Sequence, residues 1–416
     1  MTRGRAGTRS ARQAALMRAA ASVTMPPSMD VCIVGGGAAG LAAAICAAEA
    51  GAHVVVLESA LECGRTILAT GNGRCNFANE RLDPARYNDP AFVGATMGAC
   101  PLDDILSFLR DSRLRWCVEE GRLYPLSRRA ASMRNVLLAR AVHAGATLAP
   151  ARTVRGMGRT DTGFELDICQ GFASGEVTRF NTGRVVLALG GGAEATATIA
   201  ARLGLALVPG HPVLCPVATG PSPLLACDGR RVLARVSLVP QGADAPLWHE
   251  QGEVLIRGYG LSGIVVFDLS RRCRPGDVVR LDLAPEVSHQ ELARLADPTG
   301  RGTFVPGCLD GVLDPDIATV LEREARGSSR SLVGLVKGQR LVVRGRADES
   351  HAQVMAGGLA TTQFSPTTLE AREVPGLFAC GEVLDVDGDC GGFNLAWAWR
   401  SGMVAGMAAA RGISHA

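Results

Sequence analysis

Residues 30–59 read DVCIVGGGAAGLAAAICAAEAGAHVVVLES, and this stretch decides the fold. Val31 to Val34 form a short apolar strand. Gly35, Gly37 and Gly40 fill the three glycine positions of G-x-G-x-x-G, and Ala38 to Ala50 are strong helix formers. Gly51 stops that helix, and His53 to Leu57 form a second apolar strand that ends at Glu58. Gly35 permits the tight strand-to-helix turn, Gly37 lets backbone approach a pyrophosphate, and Gly40 lets the helix pack close to the sheet. The helix start offers free N–H groups and a positive dipole end. Glu58 stands 18 residues beyond Gly40, where a carboxylate reaches ribose hydroxyls. Strand, turn, helix, strand and acid in that order imply a dinucleotide-binding βαβ unit on a parallel sheet.

Working outward, Cys63 to Asn79 read CGRTILATGNGRCNFAN, a polar loop dense in glycine, asparagine and arginine. A simple dehydrogenase continues here with another strand and helix. A loop of this kind instead suits a large planar cofactor, with a surface turn cluster as the bland alternative. Further on, the apolar run Val185 to Leu189 is followed by Gly190, Gly192 and Ala195 in G-x-G-x-x-A spacing. No acid follows before Asp228, and Pro209 and Pro212 break the next apolar stretch. The second motif therefore reads as a return crossing over the first cofactor rather than a separate nicotinamide site.

The C-terminal segment opens with a strand at Leu377 to Cys380 and continues GEVLDVDGDCGGFNLAWAWRSG. Asp385, Asp387 and Asp389 invite a calcium loop, but no glutamate closes one at the required spacing. Gly391 and Gly392 instead open a small-residue helix from about Asn394 to Ala410. Its dipole suits the negative charge on the N1–C2=O edge of a reduced flavin. Gly402, Ala405 and Gly406 point to close packing of that helix.

Composition narrows the chemistry. The 416 residues are 47% hydrophobic and 20% charged, which excludes disorder, collagen and coiled coil. Lys337 is the only lysine, so Schiff-base or pyridoxal chemistry would rest on it alone, and no G-x-x-x-x-G-K-[ST] phosphate loop exists. Thirteen cysteines, an odd number without a C-x-x-C pair, and seven histidines without H-E-x-x-H make a zinc site improbable. No metal is expected. With no signal peptide and no bilayer-length apolar run, a reduced cytoplasmic setting off the membrane is expected. A net charge of +3 gives no reason to expect a nucleic-acid partner. Residues 1–28 carry five arginines and no acid. They read as a disordered or non-native extension before Met25 or Met29, with a polyanion-contacting arm as the alternative.

The matching stretches VGGGAAG, GRTILATGNGRCNFAN, GRLYPLSRRAASMRNVLL, VVLALGG, HPVLCPV, GEVLIRGYGLSG and GEVLDVDGDCGGFNLAWAWRSG run from residue 31 to about 406. On them the chain resembles the flavoproteins grouped with aminoacetone oxidase and the 3-dehydro-bile-acid reductases. The resemblance implies an α/β, glutathione-reductase-like FAD-binding Rossmann-type domain, interrupted by an inserted β-rich domain with a small helical part. The expected boundaries are 29–205 and 351–416 for the FAD domain, 206–287 for the β-rich insertion and 288–350 for the helical part. It further implies that Gly35, Gly37 and Gly40 hold the FAD pyrophosphate and Glu58 the adenosine ribose. Arg65, Thr70, Gly71, Asn72 and Arg74 would lie near the isoalloxazine and phosphates, and Val154 would meet the adenine through its backbone. Glu382 would bind the ribityl chain, and Gly392, Phe393, Asn394 and Leu395 would face the pyrimidine edge. Ala39, Gly190 and Gly381 belong to the same cofactor-binding set. Thr66, where the family carries lysine or arginine, and Arg257-Gly258, in place of Thr-His, depart from its pattern.

The expected function is an FAD-dependent oxidoreductase working through flavin N5, with NAD(P)H as a transient donor and a small conjugated enone as substrate. An oxygen-using amine oxidase and a flavin-bound RNA-modifying or regulatory protein are the alternatives. Tyr259 is the candidate acid, with a packing role as its counterweight. Cys75 is the second catalytic candidate, although inert packing suits it better. His211, before Pro212, reads as a turn residue.

Overall fold

The computed structural model describes residues 3–171 and 177–413. The chain divides into two compact units, Met1–His211 with Met355–Ala416, and Pro212–Val354.

The first unit is built on a seven-stranded sheet. Strand β1 (Ser28–Val34) leads through the glycine turn into helix α2 (Ala38–Glu49) and back to β2 (Val54–Glu58); helix α1 (Arg3–Ala21) precedes them. β1 pairs in parallel with β2, Val31 facing Val54 and Val34 facing Leu57, and on its other side with Val177–Leu187. Strands covered on both faces read as continuous apolar runs, which is why VCIV and VVVL are buried throughout. The long strand Val177–Leu187 forks the sheet. Its first half carries the antiparallel hairpin Arg152–Thr160 and Gly163–Gln170, and its second half pairs in parallel with Leu377–Ala379. The second glycine motif thus follows a central strand of the first cofactor's own sheet. The C-terminal helix Phe393–Ala410 lies against α2 at very short range. A Cβ on Gly402 would stand 2.3 Å from the Ala39 carbonyl oxygen, and one on Gly406 2.3 Å from that of Ala43.

The second unit is a closed six-strand barrel of Val217–Thr219, Gly260–Ser262, Trp248–Arg257, Arg231–Val239, Val278–Asp282 and Gln339–Arg346, with its own apolar core. Helices His289–Ala296, Pro315–Ala325 and Ser329–Gly338 stand between the fifth and sixth strands. The stretch 288–350, expected to be helical, therefore also contains the strand that closes the barrel. Lys337 is a strut of this unit: its Nζ bonds Asp282 at 3.2 Å and the Ala284 carbonyl at 2.6 Å.

Two further features bear on expectations. Within residues 1–28, expected to be disordered or non-native, Arg3–Ala21 is a helix, as its alanine and arginine content favours. No single helix among the described residues is long and apolar enough to cross a membrane.

Candidate functional site

The site grows from the glycine turn. Gly35 has φ +109°, and a Cβ there would sit 2.2 Å from the Ala188 carbonyl oxygen; one on Gly40 would sit 1.9 Å from that of Gly35. Backbone meets backbone at both positions, so no larger residue fits. Gly37 caps α2 with no side-chain hydrogen bond, which leaves the first-turn N–H groups available to an anion. Glu58 fixes the turn from the side: its carboxylate accepts the Gly36 N–H at 2.8 Å and the Ala60 N–H at 2.7 Å. The Ser59 hydroxyl donates to the same carboxylate at 3.3 Å; a carboxylate offers about four lone-pair sites, so one remains for a hydroxyl donor. The Ala151 N–H donates to Ala60 at 2.8 Å, which ties the strand bearing Val154 to the same corner. Val154 is buried and paired with Ile168, just before a bulge in the register.

The loop after β2 wraps the turn. The Gly64 N–H donates to Gly36 at 2.7 Å, and Thr66 Oγ1 stands 3.3 Å from where a Gly37 Cβ would be. Arg65 is exposed. Gly71 and Asn72 share φ 54° and ψ 40°, a left-handed pair that turns the backbone back on itself. The Thr70 hydroxyl donates to Ile67, and the Thr70 carbonyl accepts the Cys75 N–H at 3.0 Å. Arg74 bonds Glu119 at 2.6 Å and lies 4.4 Å from the Tyr124 ring, so its guanidinium buttresses the loop. Cys75 is wholly buried, and burial pushes its thiol up to about 11, so it stays protonated at neutral pH.

Asparagines that sequence reasoning passed over join this loop to the C-terminal helix. With its amide oriented to satisfy both neighbours, Asn76 donates to Ala78 at 3.0 Å and accepts the Gly392 N–H at 3.2 Å. Asn79 donates to the Gly391 carbonyl at 3.1 Å, and the Tyr87 hydroxyl to that of Phe393 at 2.8 Å. Gly392, at φ +100°, starts the helix with its Cα against Ala78, where a Cβ would lie 2.4 Å from a carbonyl oxygen. Asn394 closes the preceding turn by accepting the Gly388 N–H at 2.8 Å. Leu395 is half-buried on the first turn of the helix. The polar composition of the 63–79 loop was the available signal for these bridges; the partners, some 300 residues away, were not.

A third wall comes from the strand ends. A Cβ on Gly381 would meet the Ala39 Cβ at 2.8 Å, and the Gly381 N–H donates to Ser401 Oγ at 2.9 Å. Glu382 projects toward Gly191, whose Cβ position lies 3.5 Å from Oε2, and space around Gly190 is open. Burial, reinforced by Asp387, pushes the Glu382 carboxyl up to about 7 against the opposing Gly191 N–H. The first unit thus gathers the sequence-chosen residues from Gly35 through Leu395 into one glycine-lined cradle. An uncapped helix start, a spare-valent acid and left-handed backbone fit a flavin dinucleotide.

Tyr259 belongs to the second unit, at the turn joining Trp248–Arg257 to Gly260–Ser262. Its side chain is exposed; partial desolvation raises its phenol somewhat, opposed by Arg257, whose guanidinium is 5.8 Å from the ring.

A family model described as HI0933-like protein Rossmann domain matches residues 29–408. The chain is 33% identical over 410 residues to a 3-dehydro-bile acid delta(4,6)-reductase of Clostridium scindens, spanning 91% of this chain and 98% of the relative. It is 29% identical over 390 residues to a ribosomal RNA dihydrouridine synthase of Escherichia coli, spanning 89% and 96%. Among solved structures, a 3-ketosteroid-delta4-(5alpha)-dehydrogenase from Rhodococcus jostii aligns over 94% of this chain and 98% of its own, at 16% identity and a TM-score of 0.48.

Proposed function

The chain belongs to the HI0933-like Rossmann-domain family and is an FAD-dependent oxidoreductase, and from that premise we propose that it reduces a carbon–carbon double bond conjugated to a carbonyl, in a small enone-type molecule. The observation that carries this reading is near full-length likeness to two relatives whose names describe adding hydrogen across ring double bonds. Both run in the reducing direction, which favours a reductase over the amine oxidase.

Bound FAD supplies a hydride at N5, replenished in this reading by NAD(P)H. The residues of the chain do the rest. The first-turn amides of α2 would hold the pyrophosphate, and the remaining acceptor site of Glu58 would take an adenosine ribose hydroxyl. The Val154 backbone meets the adenine. Glu382, part protonated near neutral pH, both donates to and accepts from ribityl hydroxyls. Gly392 to Leu395, at the start of an 18-residue helix, steady negative charge on the pyrimidine edge. The exposed Tyr259 phenol is the candidate donor of the proton the substrate α-carbon needs.

A second reading, in which the double bond belongs to a uracil base of RNA, draws on the two ribosomal RNA dihydrouridine synthases. They weaken the expectation of no nucleic-acid partner. That expectation rested on near-neutral charge, which conceals an uneven distribution. With the five arginines of residues 1–28 set aside, 38 basic residues face 40 acidic ones, and the rest of the chain is net −2.

The test is an anaerobic cycle. NAD(P)H should bleach the yellow holoprotein, and enones or uridine-containing RNA should restore the colour at substrate-dependent rates. Rapid recolouring by amine substrates with oxygen alone would sink the reductase reading, and absence of flavin uptake would sink every flavin reading.

A further inference from the structure

We propose that Arg257 is a positioning residue for the Tyr259 phenol and that Asp228 anchors it there, an inference that rests on Tyr259 being the proton donor. Strands Trp248–Arg257 and Gly260–Ser262 pair with Arg257 opposite Gly260, so Gly258 and Tyr259 make the turn between them. Backbone contacts fix this turn from two sides. The Thr219 N–H donates to the Tyr259 carbonyl at 3.0 Å, and the Gly258 N–H to Asp228 Oδ1 at 3.1 Å. They leave the phenol itself free, and it is exposed. The neighbour that orients it is Arg257, whose guanidinium lies 5.8 Å from the ring centre, within reach of cation–π attraction.

Asp228 holds that guanidinium in place. Its loop is pinned to the same strand: the Gly229 N–H donates to the Ile256 carbonyl and the Ile256 N–H to that of Arg230, both at 2.9 Å. Asp228 Oδ1, which accepts the Gly258 N–H, also stands 3.0 Å from Arg257 Nε. The Nε–H makes no hydrogen bond, so this contact acts as an ion pair. One carboxylate oxygen therefore fixes the turn and its cation together.

Three charges face the phenol. Partial desolvation raises it, Arg257 opposes the rise, and Asp348, from beyond the barrel-closing strand, and Asp228 add to it. The cation makes Tyr259 a readier donor, because it stabilises the charge left on oxygen as the proton departs. Arg257 and Asp228 are each about half exposed, so solvent keeps the effect modest.

The test compares holoprotein variants, each paired with its Tyr259→Phe counterpart. The difference in ultraviolet phenolate absorbance within a pair follows that one phenol through its titration, independently of turnover. Arg257→Gln should move the titration to higher pH, and Arg257→Lys should keep most of the wild-type position. With a small enone, kcat of Arg257→Gln should fall about 2- to 10-fold with KM little changed, and the alkaline limb of its pH profile should move up. Asp228→Asn keeps an acceptor for the Gly258 N–H but releases the cation. It should lower kcat similarly and add no further loss to Arg257→Gln in the double variant. An unmoved phenol titration in Arg257→Gln overturns the proposal, and so does a double variant whose losses multiply. A titration that moves as expected while Tyr259→Phe turns over like wild type leaves the Arg257–Tyr259 coupling standing and sinks the proton-donor reading.

Discussion

Gly402 and Ala39 touch backbone to backbone: the place for a Gly402 side chain is 2.3 Å from the Ala39 carbonyl oxygen. The last helix of the chain thus presses on the helix that opens the glycine turn. A methyl at this point has no flexible neighbour to push aside. Gly402→Ala should destabilise the first unit by about 1–3 kcal/mol, and Gly406→Leu by more. Differential scanning fluorimetry with and without FAD checks this; an unchanged melting temperature in both variants would refute close contact.

Glu58 ties Gly36 and Ala60 together through one carboxylate. Glu58→Ala frees both N–H groups and removes the ribose partner, so FAD affinity should fall about 10- to 100-fold. Titration of apo-protein with FAD, followed by flavin fluorescence, reads the change. Glu58→Gln should recover only part of it, because an amide presents a single acceptor oxygen.

The Glu382 carboxyl is raised to about 7 in the folded state. Between its ordinary unfolded value and about 7, the folded state holds a proton that the unfolded state releases. Stability of the apo-protein from this group is therefore full below the unfolded value, falls as pH rises toward 7, and is flat above it. Glu382→Gln should remove this slope and leave the variant more stable than wild type at pH 8. Urea melts at pH 5, 6.5 and 8 test the sign.

Tyr259→Phe removes the phenol proton and little volume. If Tyr259 is the acid, turnover should drop by about 10²–10⁴ with flavin absorbance and melting temperature unchanged. Hydride loss from the reduced flavin to substrate, followed by stopped flow, should be slowed along with turnover. A variant with near wild-type turnover assigns Tyr259 to packing.

The lone lysine belongs to structure. Lys337 is held by Asp282 and the Ala284 carbonyl with its side chain mostly buried. Lys337→Met should lower the stability of the barrel unit while leaving the flavin spectrum intact, and borohydride trapping with carbonyl substrates should yield no adduct.

The readable part of the fold was whatever short-range pattern dictates. The glycine positions 35, 37 and 40 follow from local turn geometry, and the parallel strands from unbroken Val/Ile/Leu runs. Gly402 and Gly406 announced a tight helix contact by their spacing, although not its partner. The barrel-closing strand Gln339–Arg346 went unread because it follows three helices directly. Its alternation, with Leu341 and Val343 turned inward and Arg340 and Arg344 outward, was nonetheless present. Arg74 was expected near the cofactor from the family resemblance, and only tertiary structure brings Glu119 and Tyr124 beside it. The bridging asparagines share that limit: Asn79 needs Gly391, 312 residues away.

The first unit is stitched from both ends of the chain, with Leu377–Ala379 completing its sheet and Phe393–Ala410 covering α2. The barrel strands, by contrast, all come from one continuous stretch, 217–346. During synthesis the barrel has every strand it needs while the first unit still lacks a wall. The nucleotide cradle is then finished only after the barrel strands have emerged. Nascent chains stalled before residue 377 should resist protease in the barrel and carry no flavin, so cofactor loading waits on the strand and helix at 377–410.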